Sequence, residues 1–203
     1  MGILGNRGGS ARIDASKAML AALDRSQAVI EFSLDGTVLT ANENFCKTLG
    51  YTLEEIRGKH HSMFVDAAYR QSAEYQAFWS DLRQGKFQAA KYQRVGKGGR
   101  EIWIQATYNP IMDDRGHPFK VVKFATDVTE VENERKVVFS IGAGLKQAAE
   151  GNLTVRLNTA FPPDYEVLRT DFNEAMSKLQ GAMTAIATGT GGINTSASEI
   201  SAA

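Results

Sequence analysis

The chain is short of the features that make chemistry easy to read. It has one cysteine, Cys46, among 203 residues. That excludes an internal disulfide and a cysteine-held metal cluster, and Cys46 reads as a small apolar residue buried on a helix. Charge of one sign is missing too, since 23 basic and 23 acidic residues cancel. Phosphate binding draws on a basic surplus, so nucleic acid is not expected as a partner. No apolar run approaches the roughly 18–20 residues that a bilayer span needs. The best candidate, Val137 to Leu145, is too short and has charged flanks. Met1 to Ser10 has no apolar core of a signal peptide, and Met1–Gly2 is not followed by the Ser or Thr of a myristoylation site. The expectation is a cytoplasmic protein without a membrane span. Metal-ligand spacing, a phosphate loop and a Ser–His–Asp set are all lacking, so an enzyme is not expected. Gly96–Lys97–Gly98–Gly99 is read as a hairpin turn, because no helix with Lys-Ser/Thr follows it.

What is there belongs to a globular chain, 43% hydrophobic and 23% charged. Residues 1–12 are a glycine-rich tail, and Asp14 is placed to cap a helix through Met19 and Leu23. Ala28 to Leu34 and Thr37 to Ala41 are two strands around the hairpin signal Asp35–Gly36. Asn42 or Asn44 starts a short helix that ends at Gly50. Thr52 with Glu55 forms a capping-box pattern for the next, which Gly58 ends. After His60–His61 comes a helix over about Ser72 to Gln84. Three strands follow: Lys86 to Val95, Glu101 to Asn109 and Phe119 to Thr126. Two strands, several helices and three strands predict an α+β domain, a five-stranded antiparallel sheet with helices on one face.

From Val128 the period is helical. Val131, Val138, Ile141, Leu145 and Ala148 keep close to a seven-residue stripe. A connector from Asn152 to Asp164 follows. Then Leu168, Phe172, Ala175, Leu179, Ala182, Ile186, Gly189, Ile193, Ser196 and Ile200 alternate by four and three, the seam of a coiled coil. The stripe still runs at Ala203, which reads as a truncated signalling helix.

Side chains alternate across a strand. Ile102, Ile104, Ala106 and Tyr108 therefore share one face, and Trp103, Gln105, Thr107 and Asn109 the other. The polar face, set against helices carrying His60, His61, Tyr75 and Trp79, is expected to line a pocket for a flat ring system with polar edges. A sheet with one wet face is the plainer alternative.

Ala28 to Thr129 resembles a PAS sensor domain. The resemblance rests on Asp35–Gly36, on ANENFCKTLGYTLEEIRGK, on the strands joined by GKGG and on the closing Asp127–Val128–Thr129. It is similar in particular to the PAS domains of bacterial aerotaxis receptors and cytoplasmic chemoreceptors. GYTLEEIRGKHHSMF resembles the flavin-binding segment of those sensors. That implies FAD as cofactor and puts His61, Trp79, Tyr75 and Asn42 on pocket positions. The chain departs at Val65, where those receptors carry an arginine. Haem b, with His61 or His60 as axial ligand, is the alternative, and a ligand-free PAS dimerisation module is the third; a small flavoenzyme is a fourth. LKQAAEGNLTVRL and YEVLRTDFNEAMSKLQ resemble a HAMP-like relay and the start of a chemoreceptor signalling helix. The implied order is a tail and cap helix over 1–25, a sensor domain over 26–130, a relay and connector over 131–165 and a signalling helix over 166–203. The resemblance further implies control of a histidine kinase and its coupling protein. The seam from Leu168 to Ile200 is expected to pair with its copy in a homodimer, and the last strand, running into Asp127–Val128–Thr129 and then the helix at Val131, gives Asp127 and Thr129 as the expected relay.

Overall fold

The computed structural model describes the backbone of residues 7–201 and the side chains of residues 15–190. The chain divides after Glu130 into two compact units. In the first, α1 spans Arg7–Ser26, so position 14 lies inside the helix rather than at its cap. β1 (Ala28–Phe32) and β2 (Val38–Ala41) form the expected hairpin. Its turn needs glycine at 36, where φ is +90° and a Cβ would lie 2.6 Å from the His60 ring nitrogen Nε2.

Three short helices follow, each opened by a local hydrogen bond. α2 (Glu43–Leu49) starts at Asn42, and left-handed Gly50 closes it. α3 (Leu53–Ile56) carries the full capping box of Thr52 and Glu55. α4 (Ala67–Arg70) is capped by Asp66. The longer α5 (Ala73–Arg83) is capped by Ser72, and the chain leaves it at Gly85, φ +82°. β3 (Gln88–Val95), β4 (Glu101–Met112) and β5 (Pro118–Asp127) complete the sheet.

The sheet is antiparallel throughout, in the order β2-β1-β5-β4-β3. The α+β reading and the five strands therefore stand. Strand parity decides what faces the helices. Ile102, Ile104, Ala106 and Tyr108 of β4 point into the core and are buried, while Gln105 is exposed and Trp103 and Asn109 are half-buried on the opposite face. This reverses the expected orientation of β4. Burying a large apolar side chain is worth about 1.5–3 kcal/mol, whereas an unpaired buried amide costs about 1–3 kcal/mol. Turning the Ile face inward wins both comparisons.

In the second unit, α6 (Thr129–Ala149) and α7 (Glu166–Ser201) are joined by a connector that begins at left-handed Gly151. Contacts advance along both helices in the same direction. The Tyr165 hydroxyl donates to Glu134 at 2.7 Å, and further on Gly144 lies under the Phe172 ring. The helices are therefore parallel, and the connector returns alongside α7. Arg156 donates to Ser177 and Gln180, and Arg169 and Asn173 donate to the Leu157 carbonyl. Phe172, Met176 and Val137 are buried, while Leu168, Leu179 and Ile186 of the seam stay exposed. The seam positions Ile193, Ser196 and Ile200 lie outside the described side chains.

Candidate functional site

His61 is the centre of the first unit's core. It opens a short 3-10 turn (His61–Phe64), and its ring is fully buried. α5 presents Tyr75, Phe78 and Trp79 on one face, as spacings of three and four require. All three rings lie within 6.1 Å of the His61 ring, centroid to centroid. Phe32 from β1 meets it edge-on at 5.3 Å, and Tyr108 from β4 at 5.7 Å.

Polar atoms run through this aromatic packing in one directed chain. Arg94 Nη2 donates to the Tyr108 hydroxyl at 3.1 Å. A guanidinium only donates, so the Tyr108 oxygen accepts, and its proton goes to His61 Nε2, 3.0 Å away. That assigns the His61 proton to Nδ1, which donates to the Tyr75 hydroxyl at 2.9 Å. Burial, followed by the charges of Arg94 and Lys123, holds the His61 pKa well below its ordinary value. The imidazole is neutral and both nitrogens are engaged. Burial pushes Tyr108 up, and Tyr75 and Tyr92 up to about 12, so the hydroxyls keep their protons.

Two cations complete the cluster. Arg94 is only 3% exposed and its guanidinium sits 4.6 Å from the Tyr92 ring centroid. Lys123 is 1% exposed, opposite Ile30 and Tyr108 in the sheet, with Nζ 5.0 Å from the Tyr108 ring centroid and 5.4 Å from that of Phe45. Burial, then Arg94, holds the Lys123 pKa well below the ordinary lysine range. Among the described residues neither cation has a carboxylate partner. Arg94 Nε and Trp79 Nε1 are buried donors without a hydrogen-bond partner; the indole points toward the Tyr75 hydroxyl without reaching bonding geometry.

Of the residues singled out from sequence, the structure brings His61, Tyr75 and Trp79 together. His60 caps the turn from outside, accepting from the Ser62 amide at Nδ1 (3.1 Å) and donating from Nε2 to the Asp35 carbonyl (2.8 Å). Asn42 is a structural clamp: it accepts from the Phe45 and Val29 amides and donates to the Asp24 and Gln27 carbonyls. Trp103, Gln105 and Asn109 lie across the sheet from His61 for the parity reason above. Trp103 Nε1 donates to Glu101, and Asn109 donates to Thr107 and the Val122 carbonyl. Tyr108, Arg94 and Lys123 went unrecognised in the sequence. The signal for Lys123 is its place between Val121 and Ala125 on a core-facing parity.

At the end of β5, Asp127 accepts from both the amide (2.9 Å) and the hydroxyl (2.6 Å) of Thr129. The Thr129 hydroxyl accepts from the Trp103 amide at 2.9 Å, and the Val128 amide donates to the Trp103 carbonyl. Both residues assigned to the relay thus meet at one latch on β4.

Both His61 nitrogens are hydrogen-bonded, so an axial bond to haem would require Tyr75 or Tyr108 to release one. For a flavin, Arg94 Nε and Trp79 Nε1 would be available as donors to an acceptor-rich ring edge. The rings now in contact with His61 would have to part to admit it.

A family model described as the PAS fold matches residues 38–125. The biofilm dispersion protein BdlA of Pseudomonas aeruginosa is 45% identical over 115 residues, 57% of this chain and 28% of that protein. The chemoreceptor McpA of Caulobacter vibrioides is 46% identical over 63 residues, 31% of this chain and 10% of that one. The chain thus spans less than a third of either relative. Among solved structures, a PAS domain from Colwellia psychrerythraea superposes with a TM-score of 0.50 at 20% identity, covering 58% of this chain and 99% of that one. An RNA-binding light-oxygen-voltage receptor gives 0.51 at 20% identity over 63% and 37%. At that identity the likeness is one of fold.

Proposed function

From the premise that residues 38–125 are a PAS domain with chemoreceptor relatives, we propose that this chain is the sensory input and relay part of a chemoreceptor. The sensor core takes a flavin, FAD in the first instance, and responds to redox state or oxygen. The observation that carries this reading is the pair of unspent buried donors, Arg94 Nε and Trp79 Nε1. A native core leaves few such groups unpaired. A flavin supplies a ring edge whose hydrogen-bonding demand changes with its oxidation state. Arg94, Tyr108, His61 and Tyr75 form a directed chain, so a change of demand at one end re-pairs the others.

Re-pairing at Tyr108 acts on β4, and the latch of Asp127 and Thr129 ties β4 to the start of α6. The second unit would then serve as a HAMP-like relay. Its parallel helices and returning connector support that role, and a homodimer would complete it. Control of a histidine kinase and its coupling protein is proposed for the whole receptor, and a cytoplasmic setting goes with it. An unpaired buried group costs about 1–3 kcal/mol, the size of a typical allosteric coupling, so re-pairing is large enough to drive the relay.

The close ring packing around His61 favours a second reading, a ligand-free PAS module that dimerises and positions helices. The absorption spectrum of purified protein decides between them. Visible flavin bands, released as FAD on denaturation, support the first. Colourless protein that takes up no added FAD sinks it and leaves the second; a haem Soret band would also sink it.

A further inference from the structure

Arg94 and Lys123 are the two groups the aromatic core does not account for. An arginine stays charged at any pH a protein meets, and a buried charge without a counter-charge is among the costliest things a core can hold. Arg94 spends two bonds on neutral oxygens, the Gln93 carbonyl (2.7 Å) and the Tyr108 hydroxyl (3.1 Å), and leaves Nε unpaired. Among the described residues Lys123 meets ring faces, those of Phe45 and Tyr108, and no carboxylate. The two come from different strands, β3 and β5, and converge on Tyr108 from opposite neighbours of β4. Nothing in the packing requires either charge. A methionine at 123 would fill the same space beside Phe45 and Tyr108 at no electrostatic cost.

We propose that Arg94 and Lys123 form an anion-recognising end of the PAS core, so that its ligand is an aromatic ring system with an acidic or anionic edge seated beside Tyr108. This inference rests on the reading of the core as a ligand site and adds where the ligand's negative charge sits. Two sources share that chemistry: the acceptor edge of a flavin ring and the carboxylate of a small aromatic acid. In either, the edge offers acceptors to Arg94 Nε and the Lys123 amine; a carboxylate, or a flavin reduced to its anion, supplies negative charge as well. Tyr108 is the shared support. Arg94 bonds its hydroxyl and Lys123 lies over its ring, so a ligand held by both cations is felt at Tyr108 and, through its hydroxyl, at His61.

The test uses the whole chain and three probes: FAD, benzoate and the neutral isostere benzamide. Titration calorimetry gives affinities for the wild type, Lys123→Met and Arg94→Gln, and thermal midpoints without ligand accompany them. The expected result is that FAD or benzoate binds the wild type and that each substitution weakens binding at least tenfold. If benzoate is the binder, benzamide should bind at least tenfold more weakly, which identifies the carboxylate. FAD binding with inert benzoate identifies the flavin edge. Lys123→Met should also raise the midpoint of the ligand-free protein, because the burial penalty on the amine has gone. Should Lys123→Met fail to fold, Arg94→Gln on the edge strand β3 carries the same comparison.

The proposal is overturned if neither FAD nor benzoate binds the wild type, or if both variants bind as the wild type does. Its failure differs from that of the flavin reading. FAD held equally by all three proteins keeps the flavin and removes the anion site. Benzoate held through Lys123, with FAD excluded, does the reverse.

Discussion

His61 shows how much one residue can be asked to carry. Its ring is fully buried, both nitrogens are bonded, and its pKa is held down by burial first and the two cations second. The unfolded chain takes up a proton on this imidazole below about pH 6.5, and the folded chain refuses it. Stability from this group is therefore fully present above that pH and lost as pH falls toward the depressed folded value. The thermal midpoint should drop between pH 7 and 5 in the wild type and drop less steeply in His61→Phe. Calorimetric scans across that range check this, and parallel slopes would remove His61 as the cause. The exposed carboxylates with lowered pKa, such as Glu43 and Glu55, act below the usual glutamate value of about 4.3, outside the window.

At the scale of the element, the latch at the end of β5 is built from one carboxylate, one hydroxyl and one strand amide. Thr129→Val keeps the shape and leaves the Trp103 amide unpaired, at about 1–3 kcal/mol. Faster hydrogen exchange at Trp103, with the amides of β1 unchanged, is the expected signature. Asp127→Ala removes a side-chain acceptor from the head of α6, at about 1 kcal/mol. Under the proposed function it should leave any core ligand bound while lowering kinase control. A variant that switches as fully as the wild type would reduce Asp127 to a helix cap.

Two glycines of α6 make a sharper comparison. Gly142 has open space around it, so Gly142→Ala should stabilise by about 0.5–1 kcal/mol through helix propensity. At Gly144 a Cβ would meet the Phe172 ring at 2.6 Å. The same propensity gain is offset there by overpacking of about 1–3 kcal/mol. Opposite shifts of the thermal midpoint are expected, and equal gains would deny the contact.

The elements were legible where local chemistry sets them. Asn42 and Thr52 with Glu55 are caps whose partners lie three residues away, and the glycines at 36 and 50 mark a turn and a helix end. The inward face of β4 was not legible in the same way. Alternation identifies two faces but not which one meets the helices; that depends on β5 and α5, residues distant in sequence. Trp103 drew the pocket to the wrong side because an indole suits either a core or a half-wet surface. Arg94 and Lys123 were passed over because cations are taken as solvated until a register, such as Lys123 opposite Ile30 and Tyr108, puts one inside.

For the whole molecule, the second unit leaves a great deal of apolar surface uncovered. Val138 is 71% and Phe139 78% exposed on α6, and Leu179 and Ile186 are exposed on α7. The proposed homodimer would cover these side chains. Wild-type protein at tens of micromolar is expected to scatter light as a dimer, and Leu179→Asp to shift it toward the monomer. A strictly monomeric wild type would remove the basis for a paired relay.

The two tryptophans stand on opposite faces of the same sheet. Trp79 is shut in the core beside His61, while Trp103 is half-exposed, with its backbone amide held by Thr129. The chain therefore has two built-in fluorophores, one at each end of the proposed path from core to helix. A soluble quencher reaches the second and not the first. Trp103→Phe leaves an emission that reads only the ring cluster, and Trp79→Phe one that reads only the latch. The order in which the two emissions change after a stimulus gives the direction of the signal without any added dye.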